Sequence, residues 1–209
     1  MREYHKIETV FLRDVETKKL REGDFTSGAV EYLKDCEWIF TEKVDGTNIR
    51  VHWDGHKVSF AGRTDKAQIP PKLVDKLYEM FGGEDNETIL EQTFGGSEVT
   101  LFGEGYGDKI QGGKYCKEAR FILFDVTIEG RYLPFETVQQ IGEKLGIPVV
   151  PIVGKGTIAE GVEYVKTHKQ STLDPDTEME GVVAKPSTEL LIHDGRRIVV
   201  KIKRRDFCR

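Results

Sequence analysis

One lysine, Lys43, stands between two carboxylates and beside a glycine turn in the run Thr41-Glu42-Lys43-Val44-Asp45-Gly46-Thr47-Asn48. An amine and acids packed that closely are equipment for nucleophilic attack or for ion pairing. Other chemically capable residues follow in a definite order. Arg63 comes after a strand-like run, Glu104 sits between Gly103 and Gly105, and Asp125 interrupts the apolar run 121–126. Glu180 precedes Gly181, and Lys201 and Lys203 alternate in a strand. Each has a bland explanation when taken singly, because charges at strand ends are usually solvated and Lys-x-Lys on an edge strand guards against aggregation.

The surrounding elements decide how these groups can be presented. Residues 36–40 are apolar and aromatic, and Ile49, Val51 and Trp53 alternate as a half-buried strand does, so Lys43 is expected where a strand enters a core. Asp54-Gly55 predicts a tight two-residue hairpin turn into a strand over 57–60. Pro70-Pro71 opens a predicted helix over 72–81, with Leu73, Val74, Leu77, Tyr78 and Phe81 at helical spacing and Gly82-Gly83 as its stop. A polar link leads to a strand over 98–102, and glycines on both sides of Glu104 allow a backbone or ligand to come close.

Beyond the strand at 121–126, a helix is expected from Pro134 to Leu145, stopped by Gly146. A short strand over 149–153, a helix over 158–168, a polar loop over 171–177 and strands over 179–185 and 197–203 complete the chain. Lys201 and Lys203 share one face of the last strand. Residues 1–35 offer a brief helix near 28–34 and nothing informative about chemistry. Hairpins without regular strand-helix alternation predict an α+β fold with antiparallel β-sheets flanked by helices.

With 209 residues, a hydrophobic share of 38%, an aromatic share of 10% and a charged share of 32%, a folded chain with a real core and a polar surface is expected. The formal net charge of -5 argues against a protein that coats nucleic acid nonspecifically, although the run 196–209 is locally basic. Cys36, Cys116 and Cys208 lack paired spacing and read as reduced structural thiols. No membrane span or signal peptide is evident, which makes the cytoplasm the expected location. Phosphate-binding Gly-x-x-x-x-Gly-Lys-Ser/Thr and dinucleotide Gly-x-Gly-x-x-Gly motifs are missing, and His52 and His56 flank a turn rather than sharing a helix face.

Taken in order, Lys43-Val44-Asp45-Gly46, Phe102-Gly103-Glu104-Gly105, the strand 121–126, Glu180-Gly181-Val182-Val183-Ala184-Lys185 and Val200-Lys201-Ile202-Lys203 resemble the motifs of the covalent nucleotidyltransferase superfamily of ligases and capping enzymes. Within it, Glu42 to Asn48 and Phe124-Asp125-Val126 look most like ATP-dependent RNA ligases of the T4 RNA ligase 2 type. The resemblance implies a single nucleotidyltransferase (ATP-grasp-like ligase) domain over 1–209, and the end at Arg209 soon after the fifth motif is expected to leave no room for a C-terminal OB-fold. It further implies that Lys43 attacks ATP, that lysyl-AMP forms with Mg²⁺ (or Mn²⁺) as the metal cofactor, and that AMP passes to an RNA 5′-phosphate which a 3′-hydroxyl then seals.

By the same resemblance, Glu42 contacts the adenine edge, Phe124 stacks on the base, and Glu104 accepts from the ribose. Asn48 and Arg63 position the phosphate or the reacting end, while Lys201 and Lys203 bridge the α-phosphate and lower the pKa of Lys43. Glu180, with Glu104 or Asp125, holds the metal. The implied partners are RNA ends, with room for an accessory protein or domain that supplies RNA binding. A GTP-dependent capping guanylyltransferase and a catalytically silent RNA-binding module are the alternatives.

Overall fold

The structure is a computed structural model and describes residues 3–112 and 115–208. Arg209, the last member of the basic run, lies outside them. In chain order the strands are β1 (Glu8–Thr9), β2 (Phe11–Arg13), β3 (Leu20–Phe25), β4 (Trp38–Glu42), β5 (Thr47–Trp53), β6 (Val58–Ala61), β7 (Val99–Tyr106), β8 (Arg120–Ile128), β9 (Arg131–Tyr132), β10 (Ile152–Gly156), β11 (Gly181–Pro186) and β12 (Val200–Lys203). The helices are α1 (Gly28–Leu33), α2 (Pro71–Phe81), α3 (Glu84–Phe94), α4 (Phe135–Leu145) and α5 (Ile158–Thr167). The chain divides into two compact units: unit 1, Met1–His5 with Asp45–Val150, and unit 2, Lys6–Val44 with Pro151–Arg209.

Unit 1 is built on an antiparallel sheet ordered β6-β5-β7-β8-β9. The alternation in β5 buries Ile49, Val51 and Trp53, and α2 lays Leu73, Leu77 and Phe81 into the same cluster. Each such side chain, fully withdrawn from water, contributes about 1.5–3 kcal/mol before chain entropy is subtracted. Pro71 starts α2 inside its first turn, and Gly146 ends α4 with φ 65°, both as the local signals predict.

Two local features of unit 1 differ from expectation. Residues 84–94 form α3 where a polar link was expected, because Leu90 alone of its residues is buried and gives too little periodicity to read. Its support is electrostatic: Glu84, Asp85 and Glu87 crowd the positive N-terminal end, and the Asn86 side-chain amide donates to the last carbonyls of α2. The β5–β6 turn spans four residues rather than two, with Trp53 opposite Val58. There the Asp54 carboxylate accepts from the backbone N–H groups of His56 and Lys57, a local closure that substitutes for a tighter turn.

Unit 2 has a sheet ordered β1-β12-β11-β4-β10, antiparallel except where β1 runs parallel to β12. Trp38 and Phe40 from β4, Val182 from β11, Ile202 from β12 and Ile158, Val162 and Val165 from α5 form its core. Thr157 and Glu160 make a reciprocal capping box at the start of α5, and the Arg204 guanidinium donates to the carbonyls of Val165, Lys166 and His168 at its end. The expected strand over 149–153 is displaced to β10, since Pro151 cannot donate to a ladder. Strand β12 begins only at Val200; Arg197 instead bridges Leu191 and pairs with Glu189. Among the described residues no helix is long and apolar enough to cross a membrane.

Candidate active site

In unit 2 the sheet register converges three strand ends on one place. Glu42, the last residue of β4, lies opposite Val182, and Gly181 lies opposite Lys203. The backbone N–H of Lys43 donates to the Gly181 carbonyl at 2.9 Å. The side chains of Lys43, Glu180 and Lys203 therefore meet, although 137 residues separate the first two. Lys43 Nζ lies 2.6 Å from Glu180 Oε2, and Lys203 Nζ lies 2.5 Å from Glu180 Oε1, so one carboxylate is held by two ammonium groups.

The electrostatics follow from that crowding. Burial opposes the charge on Glu180, yet Lys43 and Lys203 more than offset it and hold its carboxyl below the usual range. Lys201, two residues before Lys203, shows the opposite effect. Burial first, then the charges of Lys203 and Lys43, push its ammonium below the usual lysine range, with Glu8 acting weakly against them.

A depressed carboxyl stabilises the fold fully above its unfolded value of 4.5 and loses that contribution as pH falls through the lower folded value. Glu180→Gln is therefore expected to lower Tm at pH 7 by a margin that shrinks as the pH is taken towards 3. Thermal melts of both proteins across that range check it, and a margin that widens with acid contradicts it.

Gly181 is fixed by this convergence. Its φ is +151°, and a Cβ there would stand 2.1 Å from the Ile202 carbonyl oxygen. Gly46, after the lysine, is required for a different reason: a Cβ would lie 2.2 Å from the Gly105 carbonyl oxygen of the neighbouring strand in unit 1.

Glu42 is buried, and its carboxylate accepts from the Ser171 hydroxyl, the Thr172 hydroxyl and, at 2.8 Å, the Thr172 backbone N–H. The sequence marks 171–177 only as a polar loop. Two adjacent hydroxyl residues were the available signal, but nothing local says which acid they serve.

Unit 1 carries the remaining predicted residues. Asn48 lies opposite Glu104 in the β5–β7 register. Among the described residues the buried side-chain oxygen of Asn48 has no hydrogen-bond partner, a costly state that a ligand donor would relieve. Phe124 is the extra residue of a β-bulge, since Phe102 pairs with Asp125 while Gly103 pairs with Leu123. A bulge re-aims a side chain, and Phe124 stays partly exposed within an otherwise buried stretch, edge-on to Tyr4 at 5.1 Å. Asp125 is fully buried and accepts a hydrogen bond from the Tyr4 hydroxyl. Arg63 lies on the exposed loop after β6.

For a divalent metal, the donor set is decisive. Among the described residues no group of three His, Cys, Asp or Glu side chains comes together.

The RNA ligase family profile matches residues 36–203, which begins just before β4 and ends with β12. The chain belongs to the RNA ligase family. Solved structures of the Naegleria gruberi RNA ligase share its fold. An apo variant is 21% identical with a TM-score of 0.62, covering 85% of this chain and 52% of that one. A variant with ATP and Mn gives 21% and 0.62 over 84% and 52%, and the ligase with PPi gives 21% and 0.63 over 84% and 51%. This RNA ligase family chain thus spans about half the length of those proteins. No curated protein matches it.

Proposed function

We propose that this chain is an ATP-dependent RNA ligase whose Lys43 takes AMP from ATP as a covalent lysyl-AMP, passes it to an RNA 5′-phosphate, and allows a 3′-hydroxyl to displace it and seal the strand. The observation that carries the reading is the meeting of Lys43, Glu180 and Lys203, with Lys201 alongside, in a family member. The Naegleria ligase solved with ATP and Mn and with AMP and Mn supports the nucleotide and the metal.

Attack requires a neutral amine with its lone pair directed at the α-phosphorus. In this structure the Lys43 ammonium is bonded to Glu180, so that contact must break and the proton leave before reaction. Lys201 and Lys203 then remain as donors for the α-phosphate oxygens, whose charge grows in the transition state. A divalent cation supplies charge neutralisation on the phosphates when bound, with Glu180 and Glu104 as the carboxylates that would serve it. Asp125, which accepts from the Tyr4 hydroxyl, is the remaining carboxylate that the resemblance offers for the metal.

By family resemblance Glu42 reads the adenine edge, Phe124 stacks on the base, Glu104 meets the ribose, and Asn48 and Arg63 position phosphate or RNA end. An accessory protein or domain completes RNA engagement. The cysteines Cys36, Cys116 and Cys208 are all free thiols, which suits a reducing compartment such as the cytoplasm.

The test is intact-mass analysis after incubation with Mg²⁺ and ATP or GTP, followed by nicked RNA. One AMP per chain from ATP alone, discharged onto RNA, is the expected result. No adduct sinks the ligase reading, and a GMP adduct transfers the chain to capping chemistry.

A further inference from the structure

Strand β5 presents two faces. Ile49, Val51 and Trp53 enter the core of unit 1, so Asn48, Arg50 and His52 project from the other side. Arg50 is nonetheless fully buried there, with 0% of its surface exposed. A guanidinium withdrawn from water is costly unless its N–H groups are satisfied, and the loop after β6 supplies acceptors. Arg50 lies opposite Ala61; its Nε donates to the carbonyl of the next residue, Gly62, at 2.7 Å, and its Nη2 donates to Asp65 Oδ1 at 2.8 Å. The loop also closes on itself. The Ala67 N–H donates to the Thr64 carbonyl at 3.1 Å, and a Cβ on Gly62 would stand 2.8 Å from that of Ala67.

The two points of attachment bracket Arg63. Its side chain is exposed, and among the described residues it has no ion-pair partner. Residues directly opposite in an antiparallel pair share a face, so Glu104, opposite Asn48, projects on the side that carries Arg50. Resting on the ligase reading above, in which Arg63 meets a phosphate or the RNA end, we infer that Arg50 is a positioning residue for Arg63. With Asp65 it draws the loop over the Asn48–Glu104 face of unit 1 and presents the Arg63 guanidinium there. Arg50 belongs to none of the motifs that carry the family resemblance.

A backbone fixed on both sides of Arg63 leaves less conformational freedom to lose when the guanidinium pairs with an oxyanion. An arginine suits the task, because its rigid planar fork reaches two separate acceptors in a fixed relation, which an ammonium on a flexible stem does not. Gly62 is the stronger point, since that bond is buried. Asp65 is the weaker one, with its side chain 71% exposed and screened by water.

Two readouts test this, one of which needs no chemistry. In hydrogen-exchange mass spectrometry, Arg50→Lys should speed exchange over residues 62–67 about ten-fold or more, and Asp65→Ala about three-fold, while β7 stays protected. The second readout is a mutant cycle on whichever step Arg63→Ala slows, lysyl-AMP formation or its discharge onto nicked RNA. Asp65→Ala should slow that same step about three-fold and, because it acts through Arg63, add nothing in the Arg63→Ala background. Should Arg50→Lys fail to fold, Asp65→Ala, altered at the exposed end, carries both measurements. Loop exchange unchanged in the folded variants overturns the inference. So does an Arg63→Ala variant that slows neither step, or an Asp65→Ala loss that persists in full without Arg63, which marks a structural role only. A wild-type chain that never gains AMP sinks the ligase reading, and the exchange comparison then decides the hold on the loop by itself.

Discussion

If Lys43 is the proposed nucleophile, Lys43→Ala protein incubated with ATP and Mg²⁺ is expected to gain no AMP, a loss of at least about 10³-fold, since the covalent intermediate needs its amine. The alanine variant alone leaves a doubt about cause, because it also strips Glu180 of one of its two ammonium partners. Lys43→Arg resolves it. A guanidinium keeps a positive charge beside Glu180 but does not deprotonate near neutral pH and cannot act as the nucleophile. Both variants should therefore lack the adduct, while the arginine variant stays the closer to wild type in Tm. An adduct on either protein, located by peptide mapping to another residue, would remove Lys43 from the chemistry.

Gly181→Ala is expected to cost about 2–5 kcal/mol of stability, from backbone strain and overpacking together. The added methyl would meet the Ile202 carbonyl at 2.1 Å on one side and Lys203 Cα at 2.8 Å on the other, both backbone atoms that cannot swing aside. The sheet has to open there. Because the Gly181 carbonyl accepts from the Lys43 N–H and Glu180 is the preceding residue, that opening moves nucleophile and counter-ion apart. Adenylylation should fall along with Tm, even at temperatures where the variant remains folded. Gly28→Ala is the control: that residue starts α1, has open space around its Cα and lacks a positive φ, so stability should be unchanged or slightly raised. Denaturant unfolding and the mass assay at low temperature measure both effects.

Local signals located most elements. Proline before and glycine after marked α2 and α4, and period-2 apolar spacing marked β5 and the lysine face of β12. They failed where stabilisation is not written as periodicity. Helix α3 rests on acids at its N-terminal end and on one buried leucine, and the four-residue turn at Asp54 rests on a side chain closing its own loop. The first 35 residues, apparently barren, provide β1, whose value comes wholly from the strand it pairs with.

The amino-acid order by itself determined which groups the protein possesses and their family: an amine at position 43, carboxylates at 42, 104 and 180, and alternating lysines at 201 and 203. Tertiary structure decided whom each group meets. Glu180 joins Lys43 to Lys203, Ser171 and Thr172 occupy Glu42, Tyr4 holds Asp125, and Arg50 holds the loop after β6 at Gly62 and Asp65. The physical reason is that periodicity says which face a residue takes, whereas strand neighbours and register are selected by burial of apolar surface contributed from distant parts of the chain.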